Sequence, residues 1–185
     1  MGSHLDVGEL KLSGDREDEA GAWLKEAIED NTLVAVTDGS YMKELYPDMN
    51  SCAFILECSR GRGRMLGAFS EQTMAACSYC SELLGLLAIH LVLLSINKIN
   101  PTQTGSVHIF SNCLGALNKV KNLPPHRIPS KCRHSDVLKT IMIHCSSMSF
   151  DCLFSHVSAH QDNRDKFENL SQEAQLNCAR DFGAK

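Results

Sequence analysis

From Ala75 to Ile96 nearly every residue is apolar, interrupted chiefly by Glu82 and His90. The spacing predicts one long helix over Met74–Ile96, apolar nearly all round. A helix without a polar face packs against several neighbours at once, so it sets the centre of whatever the chain builds. Two titratable residues inside it favour a buried core helix over a bilayer span, and no membrane partner is expected.

Around that helix the apolar periods are short. Thr32–Thr37 (TLVAVT) is apolar on both faces and rich in β-branched residues, which predicts a central buried strand ending at Asp38-Gly39. Ser51–Cys58 and Arg64–Phe69 predict two more strands, with Ser59–Gly63 as the turn of a hairpin. Beyond the long helix come a strand at Ser106–Phe110, a short helix at Leu114–Val120 stopped before Pro124-Pro125, and a helix at Ser135–Ser146. A strand at Phe150–Val157 and a last helix at Ser171–Phe182, with Ser171 as its cap, complete the set. Three strands, helix, strand, helices, strand, helix is the order of an α/β domain. It implies a five-stranded mixed sheet, three antiparallel strands followed by parallel additions, flanked by helices. Ala159–Asn169 is expected to be a flexible surface segment.

The chain has 185 residues, enough for one domain with a sizeable core. Met1-Gly2-Ser3-His4 resembles an expression-vector remnant, so residues 1–14 are read as a disordered lead and 15–185 as a single domain. Within it Asp15–Asn31 is an amphipathic lead-in helix and 32–182 the core. Nine cysteines, odd in number and scattered, point to reduced thiols and an intracellular location, nuclear or cytoplasmic, without secretion. Cys77 and Cys80 form a C-x-x-C with no second pair, which reads better as buried small residues than as a zinc site.

The net charge is −4, so nucleic acid would be held by a local patch rather than by overall charge. Such a patch exists. Between Cys113 and Ser135 there is no acidic residue, while Lys119, Lys121, His126, Arg127, Lys131, Arg133 and His134 all fall there. A basic strip in a proline-containing loop suits phosphate tracking, with salt-dependent, sequence-independent binding; an ordinary solvated loop is the alternative. Arg60, Arg62 and Arg64 make a weaker second cluster.

Four polar residues stand at the ends or inside of core elements: Asp38, Glu82, Asn112 and Asp181. Each alone has a plain structural role: turn residue, helix-edge acid, helix cap, solvated acid. Together they carry more. The segments Thr37-Asp38-Gly39-Ser40, Ser78–Ala88 (SYCSELLGLLA), Ile109-Phe110-Ser111-Asn112, His156-Val157-Ser158-Ala159-His160 and Asn177-Cys178-Ala179-Arg180-Asp181 resemble, in order, the ribonuclease H family. The style is that of retroelement polyproteins. The resemblance covers Thr32 to Asp181.

It implies a metal-dependent endonuclease that hydrolyses the RNA strand of RNA–DNA hybrids. The implied metal ligands and catalytic residues are Asp38, Glu82, Asn112 and Asp181, with His160 as a mobile-loop histidine that moves protons or helps product leave. His156 is read as structural. Two Mg²⁺ ions, about 4 Å apart, would be expected, with Mn²⁺ able to substitute. Gly39, Ser40 and Ser78 would approach the 2′-hydroxyl, and Lys119, Lys121, Arg127, Lys131 and Arg133 the phosphates. A covalently linked reverse transcriptase domain in a longer native chain is implied as well.

Position 112 departs from the family, which has aspartate there. An amide oxygen can touch a metal but carries no full negative charge. Either the asparagine is a deliberate replacement that traps uncleaved substrate, which the vector-like start favours, or it is a natural loss. In the second case the chain is a catalytically silent ribonuclease H-like module binding nucleic acid or protein partners. A different nuclease on the same fold is a third reading. Cys80, where related sequences often carry a basic residue, and the long insertion between His160 and Asp181 are further departures.

Overall fold

The computed structural model describes residues 11–12, 21–159, 161–163 and 165–184, without the side chains of 11, 12, 162 and 180–184. The strands are β1 (Lys11–Leu12), β2 (Leu33–Ser40), β3 (Met49–Cys58), β4 (Arg64–Gln72), β5 (Ser106–Ser111) and β6 (Asp151–His156). The helices are α1 (Ala22–Glu29), α2 (Ser78–Ile99), α3 (Leu114–Asn122), α4 (Ser135–Ser147) and α5 (Gln172–Ala184). They form a mixed sheet in the order β1-β4-β3-β2-β5-β6. β2, β3 and β4 are antiparallel; β5 joins β2 and β6 joins β5 in parallel. The five-stranded mixed sheet expected from the sequence is present, and a short sixth strand extends it. Lys11 and Leu12, placed by the sequence reading in a disordered lead, pair with Leu66 and Met65. The outer edge of β4 offers unpaired backbone groups that a passing segment can satisfy.

Alternation along β2 sorts its residues between two helical layers. Leu33 and Ala35 join the large core with α1, α2 and α4, while Val36 joins a smaller core with Ala174 and Leu176 of α5. α2 is long and apolar enough to cross a membrane by length and composition alone. Here it lies on the sheet and buries Leu83, Leu86, Ile89 and Leu93 completely, as an all-round apolar helix must. α1 packs into the same core, with Leu24, Ala27 and Ile28 fully buried.

Two elements differ usefully from the sequence reading. β2 does not stop at Asp38-Gly39; pairing with β3 continues through Gly39↔Cys52 and Ser40↔Ser51. Asp38 is therefore a strand residue, not a turn residue, because the partner strand supplies backbone bonds past the point where the apolar pattern ends. The segment after β6, expected to be a loop, contains short 3₁₀ turns at Gln161–Asn163 and Phe167–Asn169.

Candidate active site

The parallel register between β2 and β5 builds the site. Val36 pairs with Phe110 and Thr37 with Ser111, so Asp38 and Asn112 are the next residues along two adjacent parallel strands. Their side chains meet: Asn112 Nδ2 donates to Asp38 Oδ1 at 2.9 Å. Asp38 is buried and Asn112 half-buried. Grouping of side chains beyond the carboxyl ends of parallel strands is the general site geometry of open α/β sheets.

The backbone of Glu82 comes up against Gly39, the residue after Asp38, through close helix–strand packing. A Cβ on Gly39 would lie 2.4 Å from Glu82 N and 2.5 Å from Ser81 C, and one on Gly85 would lie 2.0 Å from Thr37 Oγ1. The first turns of α2 therefore rest directly on the backbone of β2 around Asp38, an approach that only glycine allows. Glu82 is 9% exposed. Its charge acts on two thiols on either side. Cys52 is pushed well above the ordinary thiol range by burial and then by Glu82. Cys113, the neighbour of Asn112, is raised by burial with Glu82 adding to it.

A buried polar latch fixes this arrangement. Asn50 is completely buried at the start of β3. Its Oδ1 accepts from Cys77 N at 3.0 Å and from Ser81 Oγ at 3.1 Å. Ser81 Oγ also lies 2.9 Å from the carbonyl of Ser40. Cys77, one residue before α2, accepts from Cys80 N at 3.3 Å and so caps the helix with a thiol. Sequence reasoning passed over Asn50 and Ser81. The one available signal was a serine and an asparagine inside otherwise apolar segments.

Asp181 lies within α5, but its side chain is outside the described residues, as is His160 altogether. Gly39 and Ser40 are half-buried beside Asp38, and Ser78 is exposed in the first turn of α2. His156 is exposed at the end of β6.

The basic strip is divided by the geometry of α3. Lys119 turns toward α2: its Nζ is 3.1 Å from Tyr79 Oη and 5.0 Å from the ring centroid, and 3.3 Å from Cys132 Sγ. Its pKa is raised, first by the hydrogen bond to Tyr79. Lys121, two residues and about 200° further round the helix, lines a cleft with His108 and Cys152. Arg127, Lys131 and Arg133 are exposed. Lys119, with its ammonium engaged, is thus a different kind of cation from the three exposed arginine and lysine side chains beyond α3.

A mixed sheet with helices on both faces, and a carboxylate–amide pair at the ends of its central parallel strands, defines an α/β domain with a candidate site at the strand ends. More particularly, the chain has the ribonuclease H fold. It superposes on the PFV ribonuclease H domain with a TM-score of 0.58 and 16% identity, over 82% of this chain and 90% of that one. A ribonuclease H1 recovered from compost, solved in complex with an RNA/DNA hybrid, gives 0.55 and 12%, over 81% and 91%. The protease–reverse transcriptase of prototype foamy virus gives 0.59 and 16%, over 85% of this chain and 21% of that one. No family model and no curated protein sequence matches the chain.

Proposed function

We propose that this domain is a metal-dependent ribonuclease H, an endonuclease for the RNA strand of RNA–DNA hybrids, held silent by the amide at position 112. The observation that carries the reading is the 2.9 Å contact of Asn112 with Asp38. The amide N–H occupies a carboxylate oxygen that a cation would otherwise take. With aspartate at 112, two carboxylates would face each other within hydrogen-bonding distance, a pair that a divalent ion neutralises.

The donor set fits hard divalent cations: Asp38 and Glu82 supply buried carboxylates, with Asp181 as a third and position 112 as a fourth oxygen donor. Two Mg²⁺ ions, or Mn²⁺ in their place, would supply an activated water and charge stabilisation at the leaving oxygen. Asp38 and Glu82 orient that charge, the Asn50–Ser81 latch keeps Glu82 beside Asp38, and His160 moves a proton or speeds product departure. Gly39, Ser40 and Ser78 line the approach to the RNA strand; Arg127, Lys131 and Arg133 hold phosphates, and Lys119 and Lys121, on opposite faces of α3, contribute less. The hybrid seen in the compost enzyme and the reverse transcriptase linkage of the foamy virus protein support a hybrid as substrate. They equally support a linked polymerase domain in a longer native chain of retroelement type.

The test is Asn112→Asp, assayed with Mg²⁺ on end-labelled hybrid, duplex DNA and duplex RNA. Cleavage of RNA in the hybrid alone, abolished again by adding Asp38→Asn, is the expected result. Tight hybrid binding without cleavage would overturn the nuclease reading. It would favour a binding module, the reading that the Asn112–Asp38 hydrogen bond also suits.

A further inference from the structure

Away from the strand ends, a second group of chemistry-bearing side chains converges where α2, α4 and β6 meet. His90 is completely buried in the middle of α2. Its Nδ1 is 2.6 Å from the carbonyl of Leu86. A carbonyl only accepts, so Nδ1 carries a proton, and in the neutral ring the lone pair is left on Nε2. That nitrogen points at Cys145 Sγ, 3.0 Å away. Cys152 Sγ completes the group: one ligand atom from each of His90, Cys145 and Cys152 lies within 4.8 Å of the others. Phe154 stacks on the His90 ring at 5.8 Å between centroids and 17° between planes, which holds the imidazole in this orientation.

We propose that His90, Cys145 and Cys152 form a zinc site. The ligand types are those zinc prefers, and the other ring nitrogen of the histidine is already committed to a backbone carbonyl, the usual support for a ligating imidazole. The spacing is close to what the ion needs: tetrahedral zinc, with Zn–S about 2.3 Å and Zn–N about 2.0 Å, sets its ligands roughly 3.5–3.8 Å apart. Changes in separation of about an ångström take the three atoms there. The charge also closes, since two thiolates neutralise a dication, whereas a monovalent soft cation would leave a net negative charge in an apolar layer.

The site has an entrance. Cys145 and Cys152 both line a cleft of about 600 Å³ that also takes in His108, Lys121 and Phe154. Zinc enters from that side, and its fourth position faces the cleft, open to water or a small anion near Lys121. Met148 Sδ lies 3.7 Å from Cys152 Sγ, a third sulfur beside the two thiols. The site is separate from the carboxylates: Glu82 is two helical turns from His90 along α2. The C-x-x-C at Cys77 and Cys80, the obvious thiol pair in the sequence, is used instead as a helix cap.

The experiment is Co²⁺ substitution of the reduced, full-length protein, followed by Zn²⁺ competition. We expect one equivalent of Co²⁺ with thiolate-to-metal charge-transfer bands and tetrahedral d–d bands, displaced by Zn²⁺. Cobalt at the carboxylates would give no thiolate bands, so the two sites are told apart. Cys145→Ser and Cys152→Ser should each remove the bands, and the Cys77→Ser, Cys80→Ser double variant should keep them. A readout on the unmodified chain guards against variants that fail to fold. Zn²⁺ should protect Cys145 and Cys152 from alkylation, mapped by mass spectrometry, and leave Cys132 reactive. Absence of thiolate bands, bands that survive both single variants, or alkylation indifferent to Zn²⁺ would each overturn the assignment.

Discussion

The Asn112 side-chain amide donates a hydrogen bond to the Asp38 carboxylate across the ends of two parallel strands. The two groups are neighbours in space, though 74 residues separate them in the chain. Replacing the amide by a carboxylate turns an attraction into a repulsion between half-buried and buried groups. Without divalent ions, Asn112→Asp should lower stability by about 1–3 kcal/mol, the usual cost of losing a partner for a buried polar group. Mg²⁺ should restore it; at a free concentration 100 times its Kd the gain is about 2.7 kcal/mol. Thermal melts of both forms with Mg²⁺ and with chelator test this. Equal Mg²⁺ responses in the two would show that position 112 does not face the metal.

Gly39 and Gly85 set the distance between β2 and α2. At Gly39 the atoms in the way are mostly backbone, which cannot swing aside. Gly39→Ala should cost about 1–3 kcal/mol, as overpacking does, and lower Tm by several degrees. It should also weaken hybrid cleavage in the Asn112→Asp background more than the lost stability accounts for, because Asp38 and Glu82 are pushed apart. A melt unchanged by the substitution would mean that the two elements do not touch.

Asn50 joins β3 to the N-terminus of α2 through two accepted hydrogen bonds. Asn50→Ala leaves the Cys77 N–H without its acceptor, while the Ser81 hydroxyl keeps the Ser40 carbonyl, and should destabilise by about 1–3 kcal/mol. Ser81→Ala, which leaves the Cys77 bond in place, should cost less. Denaturant titration of both variants gives the order, and the reverse order would contradict the latch.

The basic strip should be unequal in its effects. Removing Arg127, Lys131 or Arg133 should weaken hybrid binding and flatten its salt dependence, by about one unit of slope for each phosphate left without its cation. Lys121→Ala should change both least, since Lys121 lines the cleft beside His108 and Cys152. Affinities at several salt concentrations separate the cases, and a Lys121 effect as large as that of Arg133 would place the hybrid on the other side of α3.

His108, His134 and His144 all have pKa values below the ordinary histidine value, burial being the first cause in each. The folded state thus takes up protons less readily than the unfolded chain. Their contribution is fully present above the unfolded value of about 6.5 and is lost as pH falls through it toward the folded values. Tm should therefore drop between about pH 7.5 and about pH 5.5. His108→Gln should shallow that drop; an identical pH profile in the variant would remove His108 from the account.

Much of the fold could be read from the chain. The all-round apolar helix, the hairpin with its glycine-rich turn and the alternation of strands and helices after it follow from local pattern, and the sheet came out as expected. The end of β2 could not be read so well. Asp38-Gly39 has turn chemistry, and the pairing of Gly39 and Ser40 with β3 overrides it, because ladder bonds to a neighbouring strand outweigh a dipeptide preference. Ser81 and Asn50 were illegible for a related reason: a single polar residue in an apolar run gives no hint of which distant partner will satisfy it.

Local pattern was enough to show where most strands and helices lie and which side chains could carry metal or phosphate chemistry, since periodicity and residue type are local properties. The tertiary structure alone decided that Asn112 bonds to Asp38, that Lys119 and Lys121 face opposite ways, and that His90 meets Cys145 and Cys152. Those facts depend on strand register, helix rotation and close approach at two glycines. They arise from packing between segments far apart in the chain, where no local preference acts.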